Sequence, residues 1–303
     1  MAAPAVESAD ELFEIRTAFY IGSFQSCINE AQKMKVGSPE MKLEKDILMY
    51  RAYIAQKKYA VVLDEIRPDS PEELQAIKTY ALYLSSPAKR ISIVADLDAK
   101  IAKGVNPDQT TFLLMAASIY FQEENYEETL KLLHESDHLE CLALSVQTLL
   151  KMNRPDVAMK ELKKMQEKDD DSPLTHLTQA WLHLVQGGEK LQEAYYIIQE
   201  LMDKHGSTPT LLNCQATSFL CQGKLEEAEA ALSEALEKDP NDPDTLINMI
   251  VLSQSMGKPP EVSSRYLSQL KDSHSSHPRV KTILAKEREF EDILKFYKPV
   301  VVS

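Results

Sequence analysis

The chain has 303 residues, 44% of them hydrophobic, with 47 acidic against 34 basic side chains and a formal net charge of −13. That apolar content excludes global disorder, and the acidic balance argues against a phosphate-backbone binder or a polybasic membrane anchor. Eight glycines, of which only Gly187 and Gly188 are adjacent, leave no GxGxxG or GxxxxGK[ST] loop to cradle a nucleotide.

Taken in chain order, glycines and prolines bracket segments of roughly 10–16 residues whose apolar side chains recur at i, i+3, i+4, i+7, the helical period. The spacing predicts about seventeen helices and no strand. The first ten residues, MAAPAVESAD, hold neither a basic stretch nor an apolar run, and residues 1–9 are expected to form a disordered tail. Gly22, Phe24 and Ala31 mark a first hairpin. In 43–69, Met49, Tyr50, Tyr53, Tyr59 and Ile66 fit a helix pair, and in 110–136 Leu113, Ala116, Ala117, Tyr120, Tyr126 and Leu133 fit another.

Further along, the pattern repeats. Leu191, Ala194, Ile198 and Leu201 recur as Leu225, Ala228, Leu232 and Ala235, and Pro209 and Gly223 recur as Pro243 and Gly257. A helix–turn–helix unit of about 34 residues is the period of the tetratricopeptide repeat. The clearest copy runs from Pro209 to Pro240, where Ala216 and Ala228 let two helix axes approach. Unequal spacing elsewhere predicts irregular bending. The expected fold is all-α: a tetratricopeptide-like solenoid of about eight helix pairs plus a C-terminal helix near 277–297, forming a single elongated domain over 10–298 with a tail at 299–303.

Four cysteines (Cys27, Cys141, Cys214, Cys221) form no CxxC pair, no glycosylation sequon occurs, and no apolar run approaches a membrane span, so a soluble, cytosolic chain with reduced thiols is expected. One motif looks catalytic. His134-Glu135-Ser136-Asp137-His138 spells HExxH, which holds zinc when both histidines share a helix face and a third ligand joins them. Here it falls at a junction between repeat units, among turn and N-cap residues, and predicts a solvated turn. His176 and His183 share a helix face near Trp181 and read as packed histidines. Asp169-Asp170-Asp171 reads as a solvated acidic run before a helix start. No catalytic residue, metal, cofactor or small-molecule substrate is expected.

The apolar surface is more informative. The segment TFLLMAASIY is apolar nearly all round, beyond what the repeat template uses. Phe112, Leu114 and Phe121 are expected to point into a groove, with Ile47, Ile54, Trp181, Leu184 and Ile247 at equivalent positions of other units. Two readings stand: a hydrophobic groove for an obligate protein partner, or irregular curvature that buries these side chains in neighbouring units.

The strings FYIGSFQSCINEA (Phe19–Ala31), TFLLMAASIY (Thr111–Tyr120), GGEKLQEAYY (Gly187–Tyr196) and GKPPEVSSRYLSQLKDSHSSH (Gly257–His277) resemble the coatomer epsilon-subunit family of vesicle coat proteins; the 43–103 stretch contributes least. The resemblance implies a non-enzymatic coat subunit, peripheral on Golgi membranes and vesicles, whose membrane contact is indirect. It further implies a helical-repeat fold curled around the C-terminal domain of the alpha subunit, its link to the rest of coatomer, and a role in retrograde Golgi-to-endoplasmic-reticulum and intra-Golgi transport. Two alternatives remain: a cytosolic tetratricopeptide adaptor gripping a peptide or chaperone carboxylate, for which Arg51 is a lone groove cation, and a zinc hydrolase built on His134 and His138.

Overall fold

The computed structural model describes residues 12–297, and the tails expected at 1–9 and 299–303 lie outside the described residues. Among the described residues there are seventeen α-helices, one short 3-10 turn and no strand. They follow one another as pairs: α1 (Phe13–Tyr20) and α2 (Phe24–Lys33), α3 (Pro39–Ala55) and α4 (Tyr59–Glu65), α5 (Glu72–Ser85) and α6 (Arg90–Ile101), α7 (Thr110–Gln122) and α8 (Tyr126–Leu133). The series continues with α9 (Leu139–Lys151) and α10 (Pro155–Lys168), α11 (Pro173–Gln186) and α12 (Lys190–His205), α13 (Pro209–Gln222) and α14 (Leu225–Lys238), α15 (Pro243–Ser255) and α16 (Pro260–Ser273), and α17 (Pro278–Phe296). Eight pairs and a C-terminal helix match the expected architecture.

Proline sets the starts. Pro39, Pro155, Pro173, Pro209, Pro243, Pro260 and Pro278 each occupy the first turn of their helix, where the missing N–H is not needed. Ser38, Thr208 and Asp242 precede three of them and accept the N–H of Met41, Leu211 and Thr245. Each cap contributes about 1 kcal/mol.

In six of the eight pairs the turn between the two helices is one motif repeated; α11–α12 turns instead through Gly187 and Gly188, both at positive φ, with the Gly187 N–H on the His183 carbonyl. After α13, Gly223 takes a left-handed φ of 75°; its N–H bonds the Leu220 carbonyl and the next N–H, of Lys224, reaches back to Phe219. The same two bonds, with a left-handed residue at the same place, occur at Gly22, Lys57, Glu124, Asn153 and Gly257. This is the Schellman closure, in which glycine carries no Cβ penalty. Lys57, Glu124 and Asn153 do carry it, at φ 57–60°. The repeat period is therefore held by backbone geometry even where glycine is absent.

The pair α5–α6 departs furthest from the motif. Ser85 runs through a 3-10 turn at Pro87–Lys89 directly into α6, which leaves Ile91 exposed. Two polar ties hold α6 to its neighbours: Tyr120 donates to Asp98 at 2.5 Å, and Lys100 pairs with Glu72 at 2.7 Å.

Where a single array over 10–298 was expected, the described residues pack as two compact units that meet in the chain between Gly206 and Ser207. The core of the first gathers Ile77, Leu113, Ile119 and Leu133, with Ala116 and Ala117 where helices approach closely. The core of the second is built on Ala216, Ala228, Leu232 and Leu252, all fully enclosed. Its successive first-of-pair helices are also tied by polar contacts: the Asn213 side-chain amide on α13 donates to Thr245 Oγ1 on α15 at 2.7 Å, and the Asn248 amide donates to Asn213 Oδ1 at 2.9 Å.

Candidate functional site

In the first unit, α1, α3, α7, α9 and the start of α11 converge on a cleft of about 360 Å³. Its apolar lining includes Ile47, Leu48, Leu114 and Leu139, and its charged groups are Arg16, Glu44, Arg51, Glu140, Lys168 and Asp169, with His138 beside them. The polar centre is a clasp. Arg51 on α3 donates to Glu140 Oε2 on α9 at 2.5 Å, and Tyr20 at the end of α1 donates to Glu140 Oε1 at 3.0 Å. The Arg51 guanidinium also lies over the Phe19 ring, 4.6 Å from its centroid. One carboxylate therefore joins helices 89 and 120 residues away in sequence.

The electrostatics follow from burial. The Arg51 and Glu140 side chains keep only 15% and 11% of their exposure. Burial pushes the Glu140 carboxyl up, but the Arg51 charge and hydrogen bond, with His138 and Tyr20 assisting, hold it below the usual carboxylate range. Burial, then the neighbouring Glu140 charge, raises the Tyr20 phenol far above its ordinary value. Burial lowers the His138 pKa, and the Arg51 and Arg16 charges add to this against the opposing pull of Glu140. At the rim, Arg16 pairs with Glu44. The single groove arginine noted in the sequence is thus already neutralised by the protein's own carboxylate.

The eight expected groove residues do not form one surface. Ile47 and Leu114 meet in this cleft. Phe112, 6% exposed, faces a second cleft of about 290 Å³ bounded by α5 and α6, where the Lys100 ammonium stands 4.3 Å from its ring centroid. Ile54 is buried in the core of the first unit. Phe121 is half-buried and packs edge-on against Tyr126 at 5.7 Å. Trp181 and Leu184 are half-buried on α11, and Ile247 lines a cleft of the second unit. Phe112 and Ile54 thus belong to packing within the chain, the irregular α5–α6 pair turning Phe112 inward, while Leu114, 6% exposed, forms part of the cleft wall. Ile47, Phe121, Trp181, Leu184 and Ile247 keep part of their surface open.

The HExxH string spans a helix junction, as its turn residues suggest. His134 caps the end of α8, while His138 caps the start of α9 and accepts the Glu140 N–H through Nδ1 at 3.3 Å. Two histidines on different helices cannot share the one-face geometry that zinc requires. Asp169 follows α10 and Ser172 caps α11, so the acidic run is a turn, as expected. His183 is buried with its Nδ1 3.7 Å from Glu193, and burial lowers its pKa. Among the described residues no group of three or more His, Cys, Asp or Glu is placed to hold a metal, and no helix is long and apolar enough to cross a membrane. Protein purified without chelator is expected to contain far less than one zinc per chain, and His134→Ala to melt like wild type. Stoichiometric zinc lost in that variant would overturn this reading.

The fold has solved counterparts. A tetratricopeptide repeat protein from Parabacteroides merdae superposes with a TM-score of 0.60 at 14% identity, over 87% of this chain and 98% of its own, which shows the fold. A family model described as the coatomer epsilon subunit matches residues 8–298. Coatomer subunit epsilon-2 of Arabidopsis thaliana is 42% identical across 93% of this chain and 95% of its own length. The chain belongs to the coatomer epsilon-subunit family. The coatomer epsilon subunit of Caenorhabditis elegans is 36% identical over 94% of this chain and 98% of its own. As a member of this family the chain is a structural coat subunit that associates with coatomer, not an enzyme.

Two features escape reasoning from repeat templates. The Arg51–Glu140–Tyr20 clasp joins positions with no local pattern between them. The exposed apolar end of α17 does carry a visible signal, Phe290, Ile293 and Leu294 at helical spacing, but the expectation of a terminal helix makes no use of it.

Proposed function

We propose that this coat protein binds the C-terminal domain of the coatomer alpha subunit through the first-of-pair helices of the first unit, and thereby supports retrograde Golgi-to-endoplasmic-reticulum and intra-Golgi transport from the cytoplasmic face of the membrane. The observation that carries the reading is the cleft around Ile47 and Leu114, where apolar side chains surround two arginines already paired within the chain, Arg51 with Glu140 and Arg16 with Glu44. Such a surface suits an apolar partner element. It suits a C-terminal carboxylate poorly, since a peptide adaptor grips one with several Lys, Arg and Asn side chains and both arginines here are already paired, leaving Lys168 as the remaining cation of the lining. Trp181 and Leu184 on α11, half-buried, extend the partner-facing surface in this proposal, with Phe121 and Ile47.

A saturating amount of the C-terminal domain of the alpha subunit is expected to raise the melting temperature, because a partner that binds only the folded state adds about 2.7 kcal/mol at a hundredfold excess over its Kd. Trp181→Glu is expected to fold normally in the free chain, where the charge reaches water, and to lose capture of that domain, where the charge is buried unpaired. An unchanged melting temperature for wild type would remove the partner. Undiminished capture by the folded Trp181 variant would move the surface away from α11.

A further inference from the structure

The second unit carries an unpartnered surface of its own. Helix α17 packs through Val280, Ile283 and Leu284, and every described residue beyond Leu284 is exposed. Lys271 on α16 still pairs with Glu287 at 2.7 Å, and beyond that tie the helix runs on to Phe296 for about 14 Å at 1.5 Å per residue. On this overhang Phe290 is 61% exposed, Ile293 54% and Phe296 87%, with Leu294 and Tyr297 beside them. Exposed apolar side chains scattered singly need no explanation, but a contiguous run of them marks a contact surface. Glu289, Glu291 and Asp292 flank the run. It borders an open groove of about 540 Å³ between α15, α16 and α17, with Ile247, Ile250 and Val251 on its floor, Arg279, Lys286 and the Lys271-paired Glu287 on its rim, and Phe290 at its edge.

The two features complement each other in apolarity and in charge. We propose that they are the two halves of one interface, and that the overhang of α17 from a second copy of this chain docks into the groove, reciprocally, across a two-fold axis. The charges run along the helix in the order this requires: residues 278–288 hold four basic side chains and one acidic, and residues 289–297 hold three acidic and one basic. Antiparallel copies set the acidic end of each helix against the basic rim of the other. The order does not serve the helix itself, since Arg279 and Lys281 occupy the first turn, where the helix dipole favours acid. The exposed Lys286–Glu289 pair within α17 is of the weak surface kind and can exchange partners. An isologous contact of this kind closes at two copies. The proposal does not depend on the alpha-subunit reading.

Sedimentation equilibrium of the purified full-length chain tests it. A monomer–dimer equilibrium that weakens with added salt is expected. Phe290→Ser with Ile293→Ser should raise the dimer Kd at least about tenfold, with an unchanged circular-dichroism melt because both side chains are exposed in the free chain. Reversing the rim (Arg279→Glu, Lys286→Glu) or the overhang (Glu289→Lys, Glu291→Lys) should each dissociate the dimer. The two reversals in one chain, or an equimolar mixture of the two variants, should restore association, which a folding defect cannot do. A chain that stays monomeric at every concentration overturns the proposal. So does a dimer indifferent to these substitutions. If the wild-type chain is monomeric and the Phe290–Ile293 variant loses capture of the C-terminal domain of the alpha subunit, the surface belongs to the coat partner instead.

Discussion

Glu140→Ala is expected to destabilise the first unit by about 3–5 kcal/mol, because it leaves the Arg51 guanidinium buried without its counter-ion. At roughly 2–4 °C per kcal/mol for a unit of this size, the shift is easily measured. Hydrogen exchange should place the loss in α1, α3 and α9, which the clasp joins, and leave the second unit unchanged. Taking both charges away with Arg51→Met and Glu140→Leu should recover most of the stability, since an apolar pair of similar volume replaces a buried ion pair at little or no cost. The pH dependence has a defined sign. The folded Glu140 carboxyl titrates below its unfolded value of about 4.3, so the stability it contributes is present above that pH and is lost as the pH falls through the lower folded value. His138, lowered by burial, acts in the same direction: its contribution is present above about 6.5 and is lost on acidification through its lower folded pKa. The doubly substituted chain should therefore be less acid-sensitive than wild type. A cost under 1 kcal/mol for Glu140→Ala would mean that water reaches the pair and that it does not clasp the helices.

The clasp also shows where sequence reading stops. Helix starts were legible because proline and N-cap residues act locally, and Pro209, Pro243 and Pro278 stand at the first turns expected of them. The second-unit repeats were legible for the same reason, with Gly223 and Gly257 marking the left-handed turn. The upstream repeats were fainter because Lys57, Glu124 and Asn153 hold that same turn; Lys and Glu give no signal of positive φ in a sequence, and Asn gives a weaker one than glycine. Tertiary context imposes the conformation there, against a local preference of order 1 kcal/mol or more. The family resemblance was weakest over 43–103, which contains the one pair joined by a 3-10 turn instead of the Schellman closure.

The groove expectation failed in part for a related reason. Helical periodicity gives the face of a helix, but which neighbour covers that face depends on how the units curve. On α7 the irregular α5–α6 pair covers Phe112, while Leu114, two residues on, turns to the cleft beside Arg51. Both were expected in one groove, and they line different walls. The Glu140 contacts were out of reach altogether, since a bond across 120 residues leaves no periodic trace.

Two substitutions turn that distinction into measurable energies. Leu232→Glu is expected to unfold the second unit. Leu232 has no exposure and is surrounded by Ala216, Ala228, Ala231, Met249 and Leu252, so the carboxylate would meet neither water nor a counter-ion. Losing the leucine contacts costs about 2–5 kcal/mol, and burying a polar group without a partner adds roughly 1–3 more, enough to exceed the margin of most domains. Phe112→Glu should cost less, about 3–5 kcal/mol for the lost ring, because the side chain lies at the wall of an open cleft with the Lys100 ammonium already over its face. The new carboxylate can pair with Lys100 and remain hydrated. Circular-dichroism melts with unit-resolved hydrogen exchange separate the two: Leu232→Glu should abolish protection in α13 and α14, and Phe112→Glu should lower protection in α5–α7 without abolishing it. Equal and complete unfolding by both would mean that Phe112 is sealed from water and from Lys100. A Phe112 variant that melts like wild type would return that side chain to an open groove and restore it as a partner-binding residue.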